Sequence, residues 1–168
     1  MSEVAFCALG ANLGDREANL ERGLELLNET PGIELRERSP WFETGAVGGP
    51  AQQPDYLNGV VRLVVGLEPR PLLERFLEIE RLVGRDRTHE VRFGPRVLDL
   101  DLLIVGDREI AEPGLRVPHP RLEERSFVLV PFAAIAPEWV LASGRTVREA
   151  VEALPRADWP RRLENALS

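Results

Sequence analysis

The chain has 168 residues, of which 43% are hydrophobic and 29% are charged. This length and balance are typical of one folded domain with its own core, so we predict a single domain over 1–168. The formal net charge of −7 disfavours a domain whose main partner is a nucleic-acid backbone, because such domains carry a basic excess.

Cysteine usage and apolar run lengths set further bounds. The single cysteine, Cys7, excludes an internal disulfide and any multi-cysteine zinc site. It lies in an apolar run, which favours a buried thiol over a reactive one. No run approaches the ~18 apolar residues needed to cross a bilayer, and no secretory pattern opens the chain. We therefore expect a cytoplasmic protein with no membrane partner.

The apolar spacing predicts strands and helices in a recurring order. A short strand and a helix are followed by two strands, a second helix and another strand. Their predicted ranges are 3–9, 16–29, 33–42, 56–67, 69–83 and 97–105, with weaker helices near 121–125, 130–135 and 146–154. This order is a split βαβ pattern, which predicts an α+β fold with an antiparallel sheet and packed helices.

Two loops interrupt the pattern. Residues 45–54 are rich in glycine and proline, and 85–94 are polar and basic. Both are predicted to move when ligands bind.

The pair Asp99 and Asp101 is the most informative feature. Residues two apart in a strand project from one face, so the two carboxylates lie side by side with their Cα atoms roughly 7 Å apart. Strand geometry alone leaves two readings open, a solvated pair or a magnesium site completed by phosphates and water. The nearby Arg92 and Arg96 favour a polyphosphate ligand, because a guanidinium binds phosphate oxygens in a bidentate way.

Four segments together resemble 6-hydroxymethyl-7,8-dihydropterin pyrophosphokinase, a folate-pathway enzyme family. They are ALGANLGD at 8–15, QPDYLN at 53–58, GPRVLDLDLL at 94–103 and VPHP at 117–120. They occur in the family's order over nearly the whole chain. The resemblance implies a ferredoxin-like core in three layers, with helices on both sides of the sheet.

The resemblance also implies a reaction. The terminal pyrophosphoryl group of ATP would pass to the hydroxymethyl oxygen of the pterin, leaving AMP. Asp99 and Asp101 would hold two magnesium ions, and Arg85 and Arg96 would join them as catalytic residues. The implied partners are small molecules only, and we expect a monomer.

Further site residues are carried over from the resemblance one by one. The implied ATP contacts come from Arg85, Arg87, Arg96, His119 and Arg125. The implied pterin contacts come from Thr44, Val47, Gln53, Tyr56, Asn58, Phe93 and Phe127. The arginines, His119, and the pair Tyr56 and Phe127 also have plainer interpretations, as solvated arginines, a structural histidine and core aromatics.

The chain departs from the family pattern at Thr88, Phe93, Gly114 and Pro120, none of which is an expected metal ligand. Two alternatives remain, a ferredoxin-like nucleic-acid-binding module and an inactive relative that acts through protein contacts. The acidic balance and the carboxylate pair oppose the first, and the retained Asp99, Asp101, Asn58 and His119 oppose the second.

Overall fold

The computed structural model describes residues 2–45, 55–85 and 96–164. Its strands and helices follow the predicted order. They are β1 Glu3–Ala11, α1 Arg16–Glu29, β2 Ile33–Arg38, β3 Phe42–Thr44, β4 Tyr56–Val65, α2 Pro69–Val83, β5 Asp99–Val105, β6 Ile110–Glu112, β7 Leu115–Val117, α3 Ser126–Ile135, α4 Val147–Glu152 and β8 Arg161–Arg162, with 3₁₀ turns at Leu122–Glu124 and Arg156–Asp158.

The main sheet is antiparallel. Its strand order among the described residues is β5-β1-β4-β3-β8. β2 also pairs with β4, and it lies next to β3 along the same side of that strand. β6 and β7 form a separate hairpin. The core order β5-β1-β4-β2 places the first and third main strands in the middle, as the split βαβ prediction requires.

Helices cover both faces of the sheet. On one face, Cys7 and Leu9 of β1 pack with Leu24 of α1 and Phe76 of α2. On the other face, Phe6 and Ala8 pack with residues of α3 and α4, including Phe132 and Val147. The alternation along β1 follows the two-residue period of a strand. The predicted three-layer α+β architecture is confirmed.

The helix ends have local causes. Asp15 caps α1 by accepting a hydrogen bond from the Ala18 N–H. Pro69 begins α2, and Gly84 ends it with φ 119°, a backbone conformation that favours glycine. None of the helices in the described residues is long and apolar enough to cross a membrane.

The predicted strand 33–42 is wrong at 39–41, where the strand is interrupted. β2 ends at Arg38 and β3 begins at Phe42, because Pro40 has no N–H to donate. Ser39 keeps the chain attached to β4 across the break. Its N–H donates to the Val60 carbonyl and its Oγ accepts from the Val60 N–H, both at 3.0 Å.

Other boundaries differ by smaller amounts. β4 ends at Val65 and β5 begins at Asp99, so both strands are shorter than predicted. The segment predicted as a helix near 121–125 is only a 3₁₀ turn. The helix predicted at 130–135 begins at Ser126 and continues through Pro131, which gives up one backbone hydrogen bond.

Candidate active site

A row of facing residues crosses three strands at one end of the sheet. Gly10 of β1 is the register partner of Asn58 in β4 on one side and of Asp99 in β5 on the other. Partners in antiparallel strands project to the same face, here the α3 and α4 face. Two strand spacings separate Asn58 from Asp99, a distance of about 10 Å. The predicted pterin residue and the predicted metal ligand therefore share one face.

Small residues form the middle of this face. Gly10 lies between Asn58 and Asp99, and in the next row Ala8 lies between Val60 and Asp101. A Cβ atom added to Gly10 would meet Asn58 Oδ1 at 3.2 Å. The absence of a side chain at Gly10 leaves room above the sheet between the amide and the carboxylates.

The carboxylates of Asp99 and Asp101 lie on one face, as predicted, whereas Leu98, Leu100 and Leu102 are buried in the opposite core. Asp99 Oδ1 accepts from Arg85 Nη1 at 2.9 Å. Asp101 Oδ2 lies 4.0 Å from Arg125 Nη1. The structure thus places two of the predicted arginines beside the carboxylate pair.

The Asp99 carboxylate raises the cost of ionising Asp101. Burial, and next the negative charge of Asp99, raise the pKa of Asp101 to about 7, while Arg125 opposes the rise. The Asp101 carboxyl is surrounded by protein atoms although 37% of its side chain is accessible to solvent. Solvent screening through that opening limits the energetic cost of ionising Asp101.

Such a pair suits magnesium. Magnesium takes one or two carboxylates and fills its remaining positions with water and substrate phosphates. Among the described residues there is no cluster of three or more Asp, Glu, His or Cys that could hold a metal on their own. The donor set therefore fits a cation that arrives with a polyphosphate.

Arg85 is more buried than a surface phosphate contact would require. Its residue is 8% exposed, and Nη1 donates to Glu80 Oε2 at 3.0 Å and to the Leu98 carbonyl at 3.3 Å as well as to Asp99. Arg85 therefore supports the carboxylate pair from below, and its predicted contact with ATP stays a prediction.

Glu80 was missed by sequence reasoning. Its side chain in α2 is 1% exposed, and Oε2 also accepts from the N–H of Leu100, the residue between the two aspartates, at 2.8 Å. One signal was available in the sequence. Glu80 follows Phe76 by four residues and so falls on the buried stripe of an amphipathic helix, where an unpaired carboxylate would be costly.

His119 lies at the same end of α3 as Arg125. Its Nδ1 accepts from the Arg121 N–H at 3.1 Å, which leaves Nε2 to carry the proton of a neutral ring. Burial, followed by the positive charges of Arg125 and Arg121, lowers the pKa of His119. A neutral ring that carries its proton on Nε2 can donate a hydrogen bond to a phosphate oxygen without adding another charge.

The amide end of the row is nearly closed to solvent. Asn58 is 7% exposed, and its Nδ2 is a buried donor with no hydrogen-bond partner among the described residues. An unpaired buried donor costs about 1–3 kcal/mol, so a ligand acceptor at this position would be favoured. The half-buried Tyr56 begins the same strand and pairs with Thr44 of β3.

Phe127 lies in the first turn of α3, which packs on β3 and β4. The Arg125 guanidinium lies 5.6 Å from the centre of its ring. Arg125 therefore joins the two ends of the site, since it approaches both Asp101 and the aromatic ring.

Arg96 is fixed through its backbone. Its N–H donates to Asn12 Oδ1 at 2.8 Å, and its carbonyl accepts from the N–H groups of Asn12 at 3.0 Å and Leu13 at 3.2 Å. This attachment sets Arg96 at the end of β1, next to Gly10 and Asp99. The buried Asn12 is a second positioning residue that sequence reasoning missed.

Some predicted residues lie outside the described part of the chain. These are Arg87, Val47, Gln53 and Phe93, together with most of the two loops predicted to move. A cleft of about 900 Å³ near the other end of β5 is lined by Val4, Ile104 and Trp139, and among the described residues it shares only His119 with the predicted site. We place the site at the carboxylates, because they and the unpaired amide supply the polar groups.

Comparison with known proteins identifies the family. The family model of 7,8-dihydro-6-hydroxymethylpterin-pyrophosphokinase matches residues 6–137, which include every part of the row. The chain belongs to this family. Family members carry out the pyrophosphokinase step of folate biosynthesis on hydroxymethyldihydropterin.

Curated relatives of the pyrophosphokinase family match most of the chain. A Synechocystis protein named 2-amino-4-hydroxy-6-hydroxymethyldihydropteridine pyrophosphokinase is 44% identical over 93% of this chain and 79% of its own length. Proteins of the same name from Methylorubrum extorquens and Bacillus subtilis are 43% and 42% identical, over 89% and 80% of this chain and 92% and 79% of their own.

Solved structures support the fold. The Plasmodium falciparum HPPK-DHPS chain, crystallised with pterin and p-hydroxybenzoate, superposes with a TM-score of 0.68 at 16% identity and covers 90% of this chain. This chain spans 42% of that longer chain. At this identity the likeness speaks for the architecture alone.

Proposed function

We propose that this chain transfers the terminal pyrophosphoryl group of ATP to the hydroxymethyl oxygen of 6-hydroxymethyl-7,8-dihydropterin. The hydroxyl oxygen attacks the β-phosphorus and loses its proton, while the bond from the β-phosphorus to the α,β-bridging oxygen breaks. The products are AMP and the pterin diphosphate. The supporting observation is the row Asn58–Gly10–Asp99, which brings an unpaired amide donor and a carboxylate pair onto one face.

The amide end is proposed to bind the pterin. Asn58 carries both donors and an acceptor, which suits the hydrogen-bonding edge of a heterocycle. Tyr56 and Phe127 would lie against the ring, with Thr44 at its side. This assignment holds the hydroxymethyl group towards the carboxylates, so the reacting oxygen and the phosphates meet above Gly10.

The carboxylate end is proposed to receive the phosphates. Asp99 and Asp101 would hold two magnesium ions with the triphosphate, and Arg85 would keep Asp99 in place. When bound, the metal neutralises phosphate charge and lowers the pKa of the attacking hydroxyl. Arg125, Arg96 and the Nε2–H of His119 would orient the phosphates, so that most of the catalysis is positioning and charge stabilisation.

The nucleic-acid-binding alternative finds less support. Ferredoxin-like modules that bind RNA use an open sheet face with exposed aromatics. Here α1 and α2 cover one face and α3 and α4 cover the other. The remaining open end of the sheet carries the aspartates.

The finer parts of the proposal have simple checks. We also propose that the protein acts in the cytoplasm as a monomer. A monomer predicts a single species near the mass of one chain in size-exclusion chromatography with light scattering. Two metal ions per active site predict that two equivalents of Mn²⁺ bind in the presence of a non-hydrolysable ATP analogue.

The decisive experiment measures AMP. Purified protein is mixed with ATP and magnesium, with and without the hydroxymethyl pterin, and AMP is quantified by chromatography. We expect AMP only when the pterin is present, in a one-to-one ratio with pterin diphosphate. AMP formation at an equal rate without the pterin would overturn the proposal.

A further inference from the structure

A buried ion pair follows the outer edge of the metal-site strand. In the described residues β5 ends the main sheet, because it pairs with β1 on one side only. An edge strand leaves a row of backbone N–H and C=O groups without strand partners. At the aspartate pair, two of these groups are bonded to side chains instead.

Glu80 and Arg85 supply those bonds. Glu80 Oε2 accepts from the Leu100 N–H at 2.8 Å, and Arg85 Nη1 donates to the Leu98 carbonyl at 3.3 Å. The carboxylate and guanidinium also bond to each other at 3.0 Å. Together they offer β5 one acceptor and one donor, as a neighbouring strand would.

The location of these bonds is specific. Leu100 is the residue between Asp99 and Asp101, so its N–H is part of the backbone that carries both carboxylates. The same Arg85 nitrogen donates to Asp99 Oδ1 at 2.9 Å. Glu80 therefore touches the pair in two ways, through the Leu100 backbone and through the arginine that holds Asp99.

Burial makes this arrangement more than a surface contact. Glu80 is 1% exposed and Arg85 is 8% exposed. Burying an ion pair is costly unless the geometry is good and further hydrogen bonds are made, and breaking one by removing a partner is strongly destabilising. A Glu at this place needs a purpose that an apolar residue on the same helix stripe would not serve.

We propose that Glu80 is a positioning residue that holds the backbone of Asp99-Leu100-Asp101 in the geometry needed to bind divalent metal. The inference rests on the proposed function, since it takes Asp99 and Asp101 as the metal ligands. Glu80 itself lies below the sheet edge and bonds to the backbone and to Arg85. It accordingly acts on the metal through the strand.

The Glu80 carboxylate also limits how strongly Arg85 neutralises Asp99. One nitrogen of Arg85 serves both carboxylates, so its charge is shared between them. Without the charge of Glu80, Arg85 would hold Asp99 more tightly and compete with an incoming cation. Loss of the charge and loss of the backbone acceptor should therefore both weaken metal binding, by separate routes.

Two variants separate these routes. Glu80→Gln keeps an oxygen that can accept from Leu100 but loses the charge, whereas Glu80→Leu fills the space and loses both. The matched control is Glu78→Gln on the same helix, whose side chain is half exposed and pairs with Arg75.

The first measurement is the Mg²⁺ concentration that gives half-maximal AMP formation. We expect it to rise about tenfold in Glu80→Gln and more in Glu80→Leu, with the KM for the pterin within about twofold of wild type and Glu78→Gln unchanged. A residue that only stabilises the fold would lower the melting temperature and leave the Mg²⁺ requirement of the folded protein unchanged. That result would overturn the proposal.

The second measurement is independent of turnover. Hydrogen exchange of the Leu100 amide, followed by NMR, should stay slow in Glu80→Gln and in Glu78→Gln. Calorimetric titration with Mn²⁺ and a non-hydrolysable ATP analogue should show weaker binding in Glu80→Gln than in wild type. Unchanged Mn²⁺ affinity in Glu80→Gln refutes the charge route, because this variant keeps the Leu100 acceptor, and unchanged Mn²⁺ affinity in Glu80→Leu refutes the positioning role.

The two proposals fail in distinguishable ways. If wild type forms no AMP from ATP and pterin, the proposed function is wrong, whereas the Mn²⁺ titration still tests Glu80. If wild type forms AMP and both Glu80→Gln and Glu80→Leu behave as wild type in both measurements, the proposed function stands and the role of Glu80 is refuted.

Discussion

The two ends of the row Asn58–Gly10–Asp99 are built differently. At the carboxylate end, Asp99 is bonded to Arg85 and Asp101 lies 4.0 Å from Arg125. At the amide end, the buried Asn58 Nδ2 has no partner among the described residues. The charged half is already compensated and must exchange partners when it binds, whereas the neutral half has a donor that the described part of the chain leaves unpaired.

This difference indicates which end of the site determines the affinity for the pterin and which end determines the turnover rate. Exchanging arginine contacts for metal contacts gives little net binding but creates the charge arrangement of the transition state. Completing an orphan hydrogen bond in a buried pocket gives selectivity for a ligand with the right edge. Changes at the carboxylate end should thus lower turnover, and changes at the amide end should lower pterin affinity.

The largest effect is expected at the carboxylates. Asp99→Asn and Asp101→Asn should each lower AMP formation by about a thousandfold or more, since one ligand to the metal is lost. Asp107→Asn, on the exposed turn after β5, is the control and should retain full activity. Rates within tenfold of wild type in both site variants would remove the metal site.

At the other half, Asn58→Leu should lower pterin affinity by about a hundredfold and leave the melting temperature unchanged or higher. Its buried donor has no hydrogen-bond partner to lose among residues 2–45, 55–85 and 96–164, so an apolar replacement is tolerated in the fold. Calorimetric titration with pterin and thermal melts test both parts. Asn28→Ala on the exposed side of α1 should bind pterin as wild type does, and a Tm loss of Asn58→Leu without an affinity loss would contradict the comparison.

Gly10→Ala tests the space between the halves. The added Cβ would lie 3.2 Å from Asn58 Oδ1, a contact tight enough to displace the amide by a few tenths of an ångström. We expect about a tenfold loss of pterin affinity, because a small misplacement weakens an oriented hydrogen bond. Gly66→Ala, which would meet no atom within 4 Å, should leave binding unchanged. Equal behaviour of the two variants would mean that the row does not form the pocket floor.

The smallest effect concerns stability. Because the pKa of Asp101 is raised to about 7 in the fold, its stabilising contribution is complete at low pH and is lost as pH rises through 7. In metal-free protein with a chelator, the melting temperature of Asp101→Asn should exceed that of wild type by about 2–4 °C at pH 8 and by less at pH 5. If the difference in melting temperature is the same at both pH values, burial and the neighbouring charges do not raise the pKa of Asp101.

Most of the site that depends on local periodicity was predictable from the sequence. The two-residue period put Asp99 and Asp101 on one face, and helical spacing with Pro69 and Gly84 gave the bounds of α2. The pairing of Gly10 with both Asn58 and Asp99 depends on strand register between segments nearly 50 residues apart or more, which one sequence does not specify. Glu80 and Asn12 escaped for the same reason, since their partners are distant backbone groups.

The errors in the fold have local causes. The strand predicted at 33–42 continued through Pro40 because its flanking apolar residues keep the strand pattern, and the substitute bonds of Ser39 to Val60 are visible only in three dimensions. The helix predicted at 130–135 began too late because Pro131 usually marks a helix start. Here the chain tolerates it within the helix.

The break between β2 and β3 has a further consequence for how the molecule meets copies of itself. A register shift lies between Leu35 and Glu37 in β2, and Pro40 interrupts the edge three residues later. Exposed charges at Glu34, Arg36 and Glu37 line the same edge. A second chain could not add a long regular strand there, because it would meet a bulge, a missing donor and unlike charges in succession. The interruption at Pro40, which made the strand prediction wrong, thus disfavours edge-to-edge aggregation of the sheet.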